Sequence, residues 1–133
     1  MKKIKDVVAI TGLSKRTLQY YDDRSLVKVK RTAENYRFYE EEDLQKLWEL
    51  LIYREMGFPL DEIANLLNGR EGGVQEKIKE RILYIDQRIQ ELEKMKRLAE
   101  KVLNYGMPGL FTMEQVAELG NYKELARRLA EQF

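Results

Sequence analysis

The chain has 133 residues, the size of one domain or of a small domain with an appendage, and its 44% hydrophobic and 35% charged residues fit a soluble globular protein. It contains no cysteine and no histidine, which excludes disulfides, thiolate or imidazole metal sites and Cys- or Ser–His nucleophile systems, so neither an enzyme nor a bound cofactor is expected. The net charge of +1 hides a division: residues 1–37 hold ten Lys or Arg against four acids, +6, which leaves −5 for the remainder, a basic head that suits a polyanion on an acidic body.

Ile4, Val7 and Val8 follow helical spacing and predict a short first helix, slim at Ala9. Thr11-Gly12-Leu13 breaks it, Gly12 being free to take positive φ, and Ser14 is a good N-cap for a second helix. Two short helices joined this way form a helix-turn-helix. In the second, Leu18 and Tyr21 face inward, leaving Lys15, Arg16, Thr17, Gln19 and much of Tyr20 outward. Such a face suits a helix lying in a nucleic-acid major groove, where side-chain donors read base edges and cations meet phosphates; an ordinary exposed helix is the alternative.

Over residues 26–39 the period changes from helical to alternating: Val27 and Val29 alternate with Lys28 and Lys30, Thr32 to Asn35 make a turn, and Tyr36-Arg37-Phe38-Tyr39 alternate again. A two-stranded hairpin is predicted, closed by Asn35 in left-handed geometry. Carrying Lys28, Lys30, Arg31 and Arg37, it reads as a wing that grips a sugar-phosphate backbone, or as an exposed edge protected by lysines. Glu40-Glu41-Glu42-Asp43 is a helix start stabilised by the dipole, not a metal or acid–base cluster. The following helix carries Leu44, Leu47, Trp48, Leu51 and Ile52 as an apolar face, with Trp48 assigned to the core, and stops near Gly57. Pro59 opens a further short helix with Ile63, Leu66 and Leu67 inward and Gly69 at its end.

After Gly72-Gly73 the longest regular pattern begins. Ile78, Ile82, Ile85, Ile89, Leu92, Lys96, Ala99 and Leu103 step alternately by four and three, which places Ile82, Ile89, Lys96 and Leu103 at heptad position a and the others at d. A helix of about 30 residues is roughly 45 Å long and cannot bury this stripe on the small head, so a homodimer is expected; a helix folded back on its own domain is the competing account. Beyond Asn104-Tyr105-Gly106-Met107-Pro108-Gly109 the helix must stop. Thr112 to Gln115 predict a capping box, Gly120 ends that helix, and a last one presents Tyr122, Leu125, Ala126, Leu129 and Phe133. This tail is expected to dock on Leu83, Met95, Leu98 and Val102, either as structure alone or enclosing a small hydrophobic pocket.

The order of elements, together with T-L-Q-Y-Y-D at 17–22, N-Y-R-F-Y at 35–39, the E-D-L-Q-K-L that follows and M-G-F-P-L-D-E-I at 56–63, resembles the MerR family of bacterial transcription regulators over residues 3 to about 103. The resemblance implies a mainly α fold: a winged helix-turn-helix domain over 1–70, a dimerisation helix forming an antiparallel coiled coil over 74–104, and a short helical tail over 105–133 as the effector region. It implies binding to double-stranded promoter DNA as a dimer, with distortion of that DNA to control RNA polymerase. Carried over position by position, it assigns DNA contacts to Lys15, Arg16, Thr17, Gln19, Tyr20 and Tyr21 on the recognition helix, to Arg31, Tyr36 and Arg37 on the wing, and to Arg54 in the second helix pair. Gln19 stands where the family usually has arginine, Asn35 where it has glycine and Val29 where proline is common; Gln19 shifts base preference toward adenine. Family members that sense metals or redox state use cysteines near the dimer helix, which this chain lacks; its short tail implies either a small stand-alone regulator that senses an apolar or aromatic ligand at the junction of tail and coiled coil, or a truncated chain. The alternative function is a dimeric interaction module whose basic head recruits an acidic protein. No apolar run approaches the roughly 20 residues of a membrane span and no signal-peptide core is present, so a cytoplasmic location is expected.

Overall fold

The computed structural model describes residues 1–69, 73–109 and 113–132. They divide into two compact units, Met1–Arg81 and the chain from Ile82 onward. The elements of the first unit are β1 (Lys2–Lys3), α1 (Ile4–Thr11), α2 (Lys15–Asp23), β2 (Lys30–Arg31), β3 (Arg37–Tyr39), α3 (Glu41–Glu55) and α4 (Leu60–Leu67), followed by the first residues of α5 (Gly73–Tyr105). The second unit holds the rest of α5, then α6 (Met113–Leu119) and α7 (Tyr122–Gln132).

Local chemistry sets the first turn. Gly12 takes φ 74° and its N–H donates to Val8 O at 2.9 Å, closing α1. Two residues later Ser14 Oγ accepts from Thr17 N at 3.0 Å and starts α2. Val7 from α1 and Leu18 and Tyr21 from α2 then meet in one core with Leu26, Val27, Val29, Tyr39, Leu47, Leu50, Phe58, Ile63 and Leu66.

The predicted two-stranded hairpin is a three-stranded antiparallel sheet of order β1-β3-β2, with Lys3 opposite Phe38 on one side and Lys30 opposite Phe38 on the other. A two-residue strand at the chain start is too short to show a period, so only the fold reveals it. The strands are also shorter than the alternation suggested. Val27 and Val29 are buried but lie outside β2, in a segment led out of α2 by Ser25 at φ 58°.

On α3, Leu47 and Leu50 occupy the core with Leu44 and Leu51 half-buried beside them. Trp48 is 60% exposed and does not belong to the core, contrary to expectation. One residue beyond Leu47 it sits about 100° around the helix, and Leu50 fills the place assigned to it. The acidic start of α3 acts as a cap, Asp43 Oδ2 accepting from Glu40 N at 2.9 Å. Among the described residues no carboxylate group is arranged to hold a metal. Gly57, at φ 88°, ends α3, and Arg81 donates from Nε to Met56 O at 3.0 Å and from Nη2 to Gly57 O. A cation is thereby fixed at the negative end of α3. Ile63 and Leu66 of α4 are buried, and Val74 and Ile78 of α5 pack against this same core.

In the second unit α5 buries none of its residues and ends as expected, Gly106 at φ 83° donating to Val102 O at 2.8 Å. Asn121 caps α7, its Oδ1 accepting from Glu124 N at 3.0 Å, and Leu125 is the buried residue of that helix. Leu98 and Val102 line an apolar groove together with Tyr122, Leu125 and Leu129 of the tail, whereas Leu83 and Met95, also expected as docking positions, remain exposed. An 11-residue helix is about 16 Å long, too short to cover the 33-residue α5. Thr112 of the predicted capping box and Phe133 of the last apolar face lie outside the described residues. No helix among the described residues is long and apolar enough to cross a membrane.

The hydroxyl of Tyr39 is buried with no hydrogen-bond partner among the described residues. Burial, and behind it the charge of Asp22, pushes this phenol above its ordinary value. An unpaired buried hydroxyl costs about 1–3 kcal/mol, so Tyr39→Phe is expected to raise stability by about 1 kcal/mol in urea unfolding at neutral pH. Because the folded state holds the phenol neutral, the stability it carries is complete below the unfolded value near ~10 and falls as pH rises beyond it. Tyr39→Phe should lose less stability above that pH than the parent.

Candidate nucleic-acid interface

The face of α2 that the core leaves open carries Lys15 and Arg16, fully outward, Thr17 and Gln19, half-buried, and Tyr20, 41% exposed. The hydroxyl of Thr17 lies 2.8 Å from Ser14 Oγ, so it shares in the N-cap and keeps part of its hydrogen-bonding capacity for a ligand. Arg24 lies over the Tyr20 ring at 5.2 Å and donates from Nε to the Tyr20 hydroxyl at 3.0 Å. This cation–π and hydrogen-bonded pair holds the ring and adds a guanidinium to the surface.

Tyr21, assigned to the contact surface by resemblance, has its ring in the core and is only 2% exposed. Its hydroxyl accepts from Arg54 Nη1 at 2.9 Å. Tyr21 therefore positions Arg54, an exposed side chain from the end of α3, beside α2.

The wing turns through Asn35, which takes φ 69° as predicted, with Asn35 N donating to Thr32 O at 2.9 Å and Tyr36 N to Thr32 Oγ1 at 3.1 Å. Tyr36 stands at the tip, 71% exposed. What fixes this small loop to α2 is Asp22. Its side chain is 8% exposed, its Oδ1 accepts from Val29 N at 3.2 Å, and its Oδ2 accepts from Arg37 Nε at 2.8 Å. Arg31 Nη2 approaches the same oxygen at 3.7 Å, and Arg37 Nη2 donates to Asp23 Oδ1 at 3.4 Å. Arg37 is thus only 15% exposed and engaged by two carboxylates, which makes it a brace for the wing before it is a contact, while Arg31 stays 40% exposed at the rim.

Between α2 and the wing lies a cleft of about 550 Å³ whose walls include Lys3, Lys5, Lys15, Gln19, Asn35 and Tyr36. Lysines from β1 and α1 therefore join Lys15 of α2 and Arg37 of the wing around one concavity that also holds Glu34, a mostly cationic lining suited to a polyanion. Sequence reasoning brought Lys15, Gln19 and Tyr36 to this place and missed Lys3, Lys5, Arg24 and Asp22. Two signals were present: Asp22 lies four residues from Leu18 on the inward face, where an acid needs a partner, and Arg24 lies four from Tyr20.

The family model described as MerR HTH family regulatory protein matches residues 2–70, and one described as MerR, DNA binding, matches residues 44–100. The HTH-type transcriptional activator TipA of Streptomyces coelicolor is 34% identical over 105 residues, covering 78% of this chain and 42% of TipA. The chain therefore spans about two fifths of that relative. The HTH-type transcriptional regulator CueR of Escherichia coli O6:H1 is 33% identical over 100 residues, covering 70% of this chain and 74% of CueR. Among solved structures, the N-terminal part of the Bacillus subtilis multidrug transporter activator, MtaN, aligns with TM-score 0.73 at 29% identity, over 77% of this chain and 98% of MtaN.

Removing one member of a buried ion pair strands the other, at a cost of about 3–5 kcal/mol. Asp22→Ala and Arg37→Ala should each destabilise the first unit by roughly this amount, while the neutral pair Asp22→Asn with Arg37→Gln should recover most of the loss. A double-mutant cycle in urea measures the coupling; additive losses would show that the brace is not a pair.

Proposed function

Because the chain belongs to the MerR family of helix-turn-helix regulatory proteins, we propose that it is a dimeric transcription regulator that binds operator DNA within a promoter and distorts it so that RNA polymerase can use it. The observation that carries this reading is the braced pair of α2 and wing around a lysine-lined cleft. In this reading α2 enters the major groove, with Arg16, Gln19 and Tyr20 toward the bases and Lys15 toward the backbone. The wing, with Arg31 and Tyr36, follows the adjacent phosphates, and Arg54 meets the backbone on the other side of the helix. Two heads on one duplex bind two half-sites, and the energy of bending and twisting the segment between them is offset by the contacts it permits.

The dimer is supported by α5, on which Ile82, Ile85, Ile89, Leu92 and Leu103 are all exposed. A continuous apolar stripe of this length on a water-facing helix marks an interaction surface. The effector belongs at the tail. Leu98 and Val102 of α5, Met107 and Pro108 after it, and Tyr122 and Leu129 of α7 are among the residues lining an open apolar groove of about 380 Å³. Its volume and lining suit a small apolar or aromatic molecule, with the Tyr122 hydroxyl as a polar handle.

Removal of one cation that neutralises a phosphate should lower the slope of log K against log salt by about 0.9. Arg16→Ala is expected to weaken operator binding and reduce that slope, whereas Tyr20→Ala should weaken binding with little change of slope. Arg37→Ala should act through displacement of the wing, so that binding falls with its slope nearly kept. Selecting bound duplexes from a random pool supplies the operator for these titrations. Two inverted half-sites about two helical turns apart are expected; a single unpaired site, or binding to an acidic protein with none to duplex DNA, would overturn the assignment.

A further inference from the structure

The M-G-F stretch at 56–58 takes no part in the nucleic-acid interface, yet all three of its residues meet one side chain. Arg81 of α5 donates from Nε to Met56 O at 3.0 Å and from Nη2 to Gly57 O, and its guanidinium carbon lies 5.5 Å from the centre of the Phe58 ring. The two carbonyls stand at the end of α3, where a helix leaves its last C=O groups without intrahelical partners and its dipole favours a cation. Gly57 suits this approach: it takes φ 88°, and a Cβ built on it would collide with Arg81 Nη2. Phe58 is 6% exposed and meets Tyr53 of α3 edge-on at 5.9 Å, so the ring under the cation is itself held in place.

The same end of α3 holds α2. Arg54, two residues before Met56, donates from Nη1 to the Tyr21 hydroxyl at 2.9 Å. On α5, Arg81 stands three residues after Ile78 and seven after Val74, on the face with which both pack against the head core. It is also the last residue of the first unit, and Ile82 beyond it is 54% exposed. Two guanidinium groups thus join α2 and the start of α5 to a single turn of α3.

Apolar contact through Val74 and Ile78 attaches α5 to the head without specifying a direction. A planar fork with two bonds to adjacent carbonyls does specify one. Resting on the dimer reading above, we propose that Arg81 is a positioning residue: it fixes the angle between α2 and the start of α5, and so selects the separation of operator half-sites that two joined heads accept. One base pair added between half-sites moves them apart by about 3.4 Å and turns one against the other by about 35°. A head set at one angle distinguishes such spacers, whereas a head on a loose joint follows either. Arg81 itself touches no DNA in this account.

Operators built from the selected half-sites, with the spacer lengthened or shortened by one base pair, read this angle when titrated with the parent chain, Arg81→Ala and Arg81→Lys. The parent should bind the altered spacers about tenfold more weakly. Both variants should reduce that discrimination to roughly threefold or less, while the slope of log K against log salt and the affinity for a duplex with one half-site stay unchanged. Lysine keeps the charge and an apolar stem but cannot present the same fork to two carbonyls, so it separates position from charge. It also supplies the reading should Arg81→Ala fail to fold. Variants that keep the parent's preference among spacers, whatever their stability in urea, would leave Arg81 as a cap of α3 only. A slope lowered in Arg81→Ala and kept in Arg81→Lys would make it a phosphate contact. Either result overturns the proposal, as does a parent indifferent to spacer length. A parent that binds the operator as one chain per duplex would remove the dimer reading itself.

Discussion

A long helix that buries none of its residues is the constraint on which the rest of this structure turns. Ile78 of the α5 stripe packs against the head core, but Ile82, Ile85, Ile89, Leu92 and Leu103 are all exposed among the described residues. Apolar surface left in water favours association, and a second copy provides the same stripe. In the proposed reading, dimerisation gives the basic head its use: a single winged helix-turn-helix reads only a few base pairs, whereas two heads held by one coiled coil would read two half-sites and deform the DNA between them.

The head has its own economy. Its sheet is made of strands of two, two and three residues, too short to be stable by ladder hydrogen bonds alone. Asp22 compensates by tying three partners to the end of α2: the Val29 amide, Arg37 and, at longer range, Arg31. The same carboxylate at the end of α2 therefore ties the wing to that helix. Tyr21 does the equivalent for Arg54 on the other side. Two residues of the Y-Y-D stretch thus serve as supports, and Tyr20 keeps its ring exposed.

What the sequence disclosed and what it withheld divides along physical lines. Gly12, Ser14 and Asn35 were legible because caps and left-handed turns are fixed by the residue itself and its next neighbours. The heptad stripe and the inward pair Leu18 and Tyr21 were legible because periodicity repeats. Strand β1, the exposure of Trp48 and the capture of Arg37 by Asp22 and Asp23 were not, because each depends on a segment distant in sequence or on a choice between adjacent apolar residues of one helix. The charge of residues 1–37 pointed to the basic head as a whole, yet only the fold shows Lys3 and Lys5 beside Lys15 in a shared cleft.

The stoichiometry of the complex tests the dimeric grip on DNA at its centre. Sedimentation velocity of the chain with a duplex carrying the selected operator should give a single species with the mass of two chains and one duplex, from nanomolar operator upward. A complex of one chain on one duplex, saturating the operator without a second copy, would contradict it.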